Sequence, residues 1–112
     1  MKQLTGPELL SVHAGGAAAT APVLLDVREP WEFALAAIHV EGLRTVLIPM
    51  GEITSRLDEL APSQPVVCIC HHGMRSAQVV AFLERQGFDS AYNLVGGIDA
   101  WSQQVDAAVP SY

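Results

Sequence analysis

The chain has 112 residues, half of them hydrophobic and 16% charged, enough for one domain with one buried core and too apolar for disorder. A formal net charge of −6 would repel the phosphates of nucleic acid and also a small anionic substrate, so any anion must be drawn in by local donors. The two cysteines, at 68 and 70, are too close to staple a secreted scaffold, no run reaches membrane-span length, and Met1 to Pro7 lacks the apolar stretch of a signal peptide, so a reducing cytoplasm is expected.

Gly6-Pro7 opens a short helix from Glu8 to about His13, with Leu9, Leu10 and Val12 expected to face inward. Residues 15–20, rich in glycine and alanine, read as a loop. Val23-Leu24-Leu25-Asp26-Val27 is a buried strand ending at Asp26, and Pro30 then starts a helix that stops before His39. Thr45 to Pro49 is a second strand, followed by a helix over Gly51 to Leu60 with Ile53, Leu57 and Leu60 on one face.

Pro65 to Cys70 is the third strand, and a helix from Met74 or Arg75 to Gln86 buries Val79, Val80, Phe82 and Leu83 before Gly87 stops it. Ser90 to Leu94 is the fourth strand. Gly96-Gly97 turns into a short helix around Ile98, Ala100 and Trp101, and the segment to Tyr112 carries little signal. Apolar strands alternating with helices predict an α/β domain over residues 1–112, a mainly parallel central sheet flanked by helices in three layers. Ligands of such sheets gather at the carboxyl ends of the strands, where Asp26 and Cys70 fall.

Cys70 is the candidate nucleophile. It stands at a strand-to-helix turn, Cys70-His71-His72-Gly73-Met74-Arg75-Ser76, where backbone N–H groups and the helix dipole favour thiolate over thiol. Gly73 can adopt a backbone conformation that turns N–H groups inward, and Arg75 in a helix's first turn makes sense if an anion sits there. Ser76 is either a helix cap or a ligand. Cys68, two residues earlier in the strand, packs into the core on this reading. His71 and His72 are expected at the pocket rim, one placing positive charge near the sulfur. Four potential ligands within five consecutive residues cannot readily surround one ion, so neither a metal nor another cofactor is expected.

Cys70-His71-His72-Gly73-Met74-Arg75-Ser76 resembles the Cys-x-x-Gly-x-Arg-Ser active-site loop of single-domain rhodaneses. Leu24 to Phe33 is similar to that family's Asp-Val-Arg-Glu segment, and Asn93 to Trp101 to its Gly-Gly-x-x-x-Trp ending. Ala37 to Gly42 departs from the family's Gly-His-Ile-Pro-Gly-Ala-like turn: Ile38 and His39 are transposed and the proline is lost.

The resemblance implies a rhodanese-like fold and a sulfurtransferase in which Cys70 takes sulfane sulfur from a donor such as thiosulfate and passes it to cyanide or a thiol. It further implies that N–H groups from His71 to Ser76 hold the persulfide, while Arg75, and Arg28 beside it, attract the donor. Asp26 either holds the loop or Arg28, or simply ends its strand. A phosphatase or arsenate reductase on this fold needs Cys-x5-Arg, whereas only four residues separate Cys70 from Arg75, a tighter loop suited to a lone sulfur. The other alternative is a sulfur-carrier module with little turnover, feeding a relay protein. A monomer is the default expectation.

Overall fold

The computed structural model describes residues 1–15 and 21–112, without the side chains of residues 12–15. Five parallel strands form one sheet: β1 (Lys2–Leu4), β2 (Val23–Asp26), β3 (Thr45–Leu47), β4 (Val66–Ile69) and β5 (Ala91–Leu94). Their spatial order is β1-β5-β4-β2-β3, which leaves β4, the strand leading into Cys70, at the centre. The helices are α1 (Gly6–Gly15), α2 (Pro30–Leu35), α3 (Met74–Arg85) and α4 (Gly97–Gln104).

The two-residue period of the strands sorts their side chains between two cores. Leu25, Cys68 and Cys70 pack with Ile53, Val79, Val80 and Leu83 on the α3 side. Leu24, Val67 and Ile69 pack with Leu9, Ile98 and Trp101 on the α1 and α4 side. Cys70 therefore points toward α3, the helix whose N-terminus it must meet.

Three expectations change. The segment Gly51–Leu60 is not an α-helix but two 3-10 turns, Met50–Glu52 and Leu57–Glu59. Its apolar face nonetheless packs as the spacing predicts, with Ile53 and Leu60 buried and Leu57 against them. Leu10 is exposed rather than inward, while Leu9 beside it is fully buried. Val12's side chain and the loop residues 16–20 lie outside the described residues. β1 is additional: its register with β5 pairs Lys2 with Tyr92 and Leu4 with Leu94.

The atypical segment after α2 is anchored by Ile38, which is completely buried in the α1–α4 core, and whose carbonyl accepts the Thr45 hydroxyl. His39 instead meets Phe33 edge-on. In this segment the apolar Ile38 stands inside and His39 is exposed.

Candidate active site

The loop after β4 is shaped from two sides. Gly73 closes it with φ +101°, a left-handed conformation that a side chain would strain, and caps α3. From below, the N-terminus of α4 fastens the loop's carbonyls: Ile98 N–H donates to Cys70 O at 2.9 Å and Asp99 N–H to His71 O at 3.1 Å. That approach is possible only because Gly97 has no side chain. A Cβ there would lie 2.3 Å from Cys70 O.

With those carbonyls drawn toward α4, the Gly73 N–H donates to Cys70 Sγ at 3.1 Å. Ser76 Oγ lies 3.2 Å from the same sulfur, and its hydroxyl donates to Asn93 Oδ1. Asn93 Nδ2 donates back to Gly73 O at 3.0 Å, which fixes the orientation of the amide. Cys70 is 1% exposed and Ser76 is fully buried. Among the described residues, the Gly73 amide and the Ser76 hydroxyl are the hydrogen-bonding neighbours of the resting sulfur.

The two arginines serve differently from expectation. Arg28 does not face a donor: it is fully buried, paired with Asp26 through Nε and Nη2. It also donates to the carbonyls of Glu32 and Ala36 and to the Tyr112 hydroxyl. Asp26 thus holds Arg28, and Arg28 ties the end of α2 to the sheet. Arg75 does reach the site, but both its terminal nitrogens are engaged by Glu32, at 2.7 and 2.9 Å.

The Arg75 guanidinium, more than any other group, holds the Glu32 carboxyl down to about 2 against the opposing effect of burial. Glu32 also accepts the Glu29 N–H and the Tyr112 hydroxyl.

His71 stacks on Tyr112, centroids 3.9 Å apart, and on His72 at 4.0 Å. Burial first, and His72 second, push its imidazole below the usual value, which disfavours positive charge on His71. His72 and Met74 are exposed. His71, His72 and Asp99 bring potential metal-ligating atoms within 4.8 Å of one another. The stacked imidazoles carry their lone pairs in nearly parallel planes, so one ion could not lie in both without a ring turning. Cys68 lies wholly in the core, and burial, reinforced by charge on Cys70, drives its thiol far up.

An open cleft of roughly 480 Å³ borders the loop, lined by Val27, Glu29, Met50, Gly51 and Arg75. Another of about 500 Å³, beside Leu57, Leu60 and Phe88, is lined by neither a thiol nor a basic side chain and offers no comparable chemistry. Glu32, Asn93 and Tyr112 are the site residues that sequence reasoning missed. Glu32 left a signal as an acid in the first turn of a proline-started helix, and Asn93 as a polar residue inside a buried strand.

The sequence profile of the Rhodanese-like domain matches residues 10–104. A rhodanese-like/PpiC domain-containing protein of Arabidopsis thaliana is 41% identical over 92 residues, covering 80% of this chain and 30% of the relative. The putative sulfur carrier protein YrkF of Bacillus subtilis is 36% identical over 83 residues, 74% of this chain and 43% of the relative. The chain thus spans less than half the length of these curated relatives. Among solved structures, a rhodanese-like domain protein of Staphylococcus aureus superposes with a TM-score of 0.78 at 33% identity, covering 90% of this chain and 91% of that one.

Proposed function

Since this chain belongs to the rhodanese-like domain family, we propose that it is a sulfurtransferase working through a Cys70 persulfide. The Cys70 thiolate attacks the outer sulfur of a donor such as thiosulfate. A Cys70 S–S bond forms, the donor's S–S bond breaks, and its electron pair leaves with sulfite. A thiophilic acceptor, cyanide or a thiol, then takes the outer sulfur and Cys70 leaves as thiolate, so the reaction runs in two half-steps.

The observation that carries this reading is the Gly73 N–H on Cys70 Sγ at the N-terminus of α3, a donor placed to stabilise negative charge on sulfur. At 1% exposure Cys70 suits approach by a single sulfur atom better than engagement of a tetrahedral phosphate. The four-residue spacing to Arg75 points the same way, and both argue against a phosphatase.

One feature favours a carrier that loads once and serves a relay protein. The terminal nitrogens of Arg75 are already paired with Glu32, which weakens the pull on a free inorganic anion. Intact-mass measurement after incubation with thiosulfate should show one added sulfur, removed by cyanide, and no addition in Cys70→Ala with the fold retained. Sulfur gain by the alanine variant would overturn both versions. Continuous turnover with thiosulfate and cyanide identifies an enzyme, and a single loading that then stalls identifies a carrier.

A further inference from the structure

Ser76 carries one hydroxyl proton and has two neighbours that can accept it. It donates to Asn93 Oδ1, and Cys70 Sγ lies 3.2 Å from its oxygen. Asn93 cannot turn its amide to relieve the competition, because Nδ2 is held on Gly73 O. While the Ser76 proton is on Asn93, the bond between sulfur and Ser76 can form only if Cys70 supplies the hydrogen. The arrangement is therefore a directed chain for the neutral thiol, Cys70 S–H to Ser76 Oγ and Ser76 O–H to Asn93 Oδ1.

We propose that Asn93 is a positioning residue that controls the ionisation of Cys70 by competing with the thiolate for the Ser76 hydroxyl proton. When Cys70 ionises, its proton leaves to solvent and only the S–H bond breaks. The Ser76 O–H then swings from Asn93 to the sulfur and leaves Asn93 Oδ1 without that partner in a buried site. A buried acceptor without a partner is costly, so Asn93 holds the resting cysteine toward thiol.

The same swing recurs in catalysis, and here the inference rests on the sulfur-transfer reading. In the persulfide the charge sits on the outer sulfur and the inner one bears no proton, so the Ser76 hydroxyl returns to Asn93. As the acceptor removes the outer sulfur, negative charge comes back to Cys70 and the hydroxyl swings to it. One hydroxyl thereby serves the attacking thiolate in the first half-reaction and the departing one in the second.

Arg75 from α3, itself bound to Glu32 of α2, and Cys68 from β4 both feel the charge on Cys70. Neither changes in the test. The thiolate is titrated by its ultraviolet absorbance, read against Cys70→Ala, in four chains: the wild type, Asn93→Ala, Ser76→Ala and the double variant. Removing the competing acceptor should give about threefold to fivefold more thiolate at a given pH on the rising limb, the size expected for one neutral hydrogen bond.

In the Ser76→Ala background the same change at Asn93 should move nothing. An unshifted titration in Asn93→Ala overturns the proposal. So does an equal shift in both backgrounds, which would mean that Asn93 acts through its bond to Gly73. Where the alanine variant fails to fold, Asn93→Leu keeps the volume and equally lacks the acceptor. The titration needs no sulfur donor, so it can fail while persulfide loading succeeds, and the reverse.

Discussion

Glu32, which the sequence did not single out, pairs with Arg75 and accepts from Glu29 and Tyr112, and its ionisation should be visible in stability. Its side chain is 5% exposed, while that of Arg75 is 37% exposed and partly screened by solvent, so the pair is worth on the order of 2 kcal/mol. The carboxyl is depressed in the folded state. Its contribution is therefore complete above about 4.5, the ordinary value, and is lost as pH falls toward 2.

Urea unfolding of wild type and Glu32→Gln should differ most at pH 6 and converge near pH 2, and a gap unchanged with pH would contradict the ion pair. At this scale Cys70, Gly73, Arg75 and Ser76 were legible because they stand together in one short segment. Arg28 was misread because an arginine at a strand end looks alike whether it serves a ligand or a buried carboxylate. Only the fold shows that Asp26, Glu32, Ala36 and Tyr112 use up its donors.

Among the elements, α4 has a role that its short sequence conceals. Gly97 sits at φ +60°, and a methyl group there would be driven into Cys70 O and His71 O. Gly97→Ala should lose about 3 kcal/mol of stability from strain and collision together, seen as a lower denaturant midpoint. It should also slow persulfide loading, because the carbonyls it displaces are those that orient the loop. Normal loading at unchanged stability would show that the loop keeps its shape without α4.

The Gly-Gly turn was readable from sequence, but the contact that requires it was not, since it joins positions more than twenty residues apart. Distance in sequence also hid β1. It is three residues long, with Lys2 and Gln3 exposed, and is made a strand by its pairing with β5. Over Gly51–Leu60 the apolar spacing identified the buried face correctly. It could not distinguish 3-10 turns from an α-helix, because a period of three to four suits both over so short a span.

The whole molecule poses an electrostatic problem for an inorganic donor. A net charge of −6 on a body of 35 × 32 × 22 Å surrounds a site whose two nearby guanidiniums are both paired with carboxylates. At about 0.01 M salt the screening length is roughly 30 Å, comparable to the protein itself, and at 0.15 M it is about 8 Å. Loading by thiosulfate should therefore speed up by about twofold or more between these salt concentrations, as the repulsive field is screened. A rate that falls with added salt would instead mean that local cations outweigh the global field. Stopped-flow quench with mass detection would measure either trend. The central strands β2 and β4 were plain in the sequence because parallel strands buried on both faces are almost continuously apolar. The balance of charge inside the site was not, because composition counts charges without saying which are already paired.

The fastening of Cys70 O and His71 O by the amides of Ile98 and Asp99 has a further bearing on biosynthesis. Translation delivers the nucleophile well before the residues that fasten it in shape. A nascent polypeptide released from the ribosome tunnel only as far as α3 would carry the reactive cysteine without a formed cradle, and competence would come only once α4 had emerged and docked.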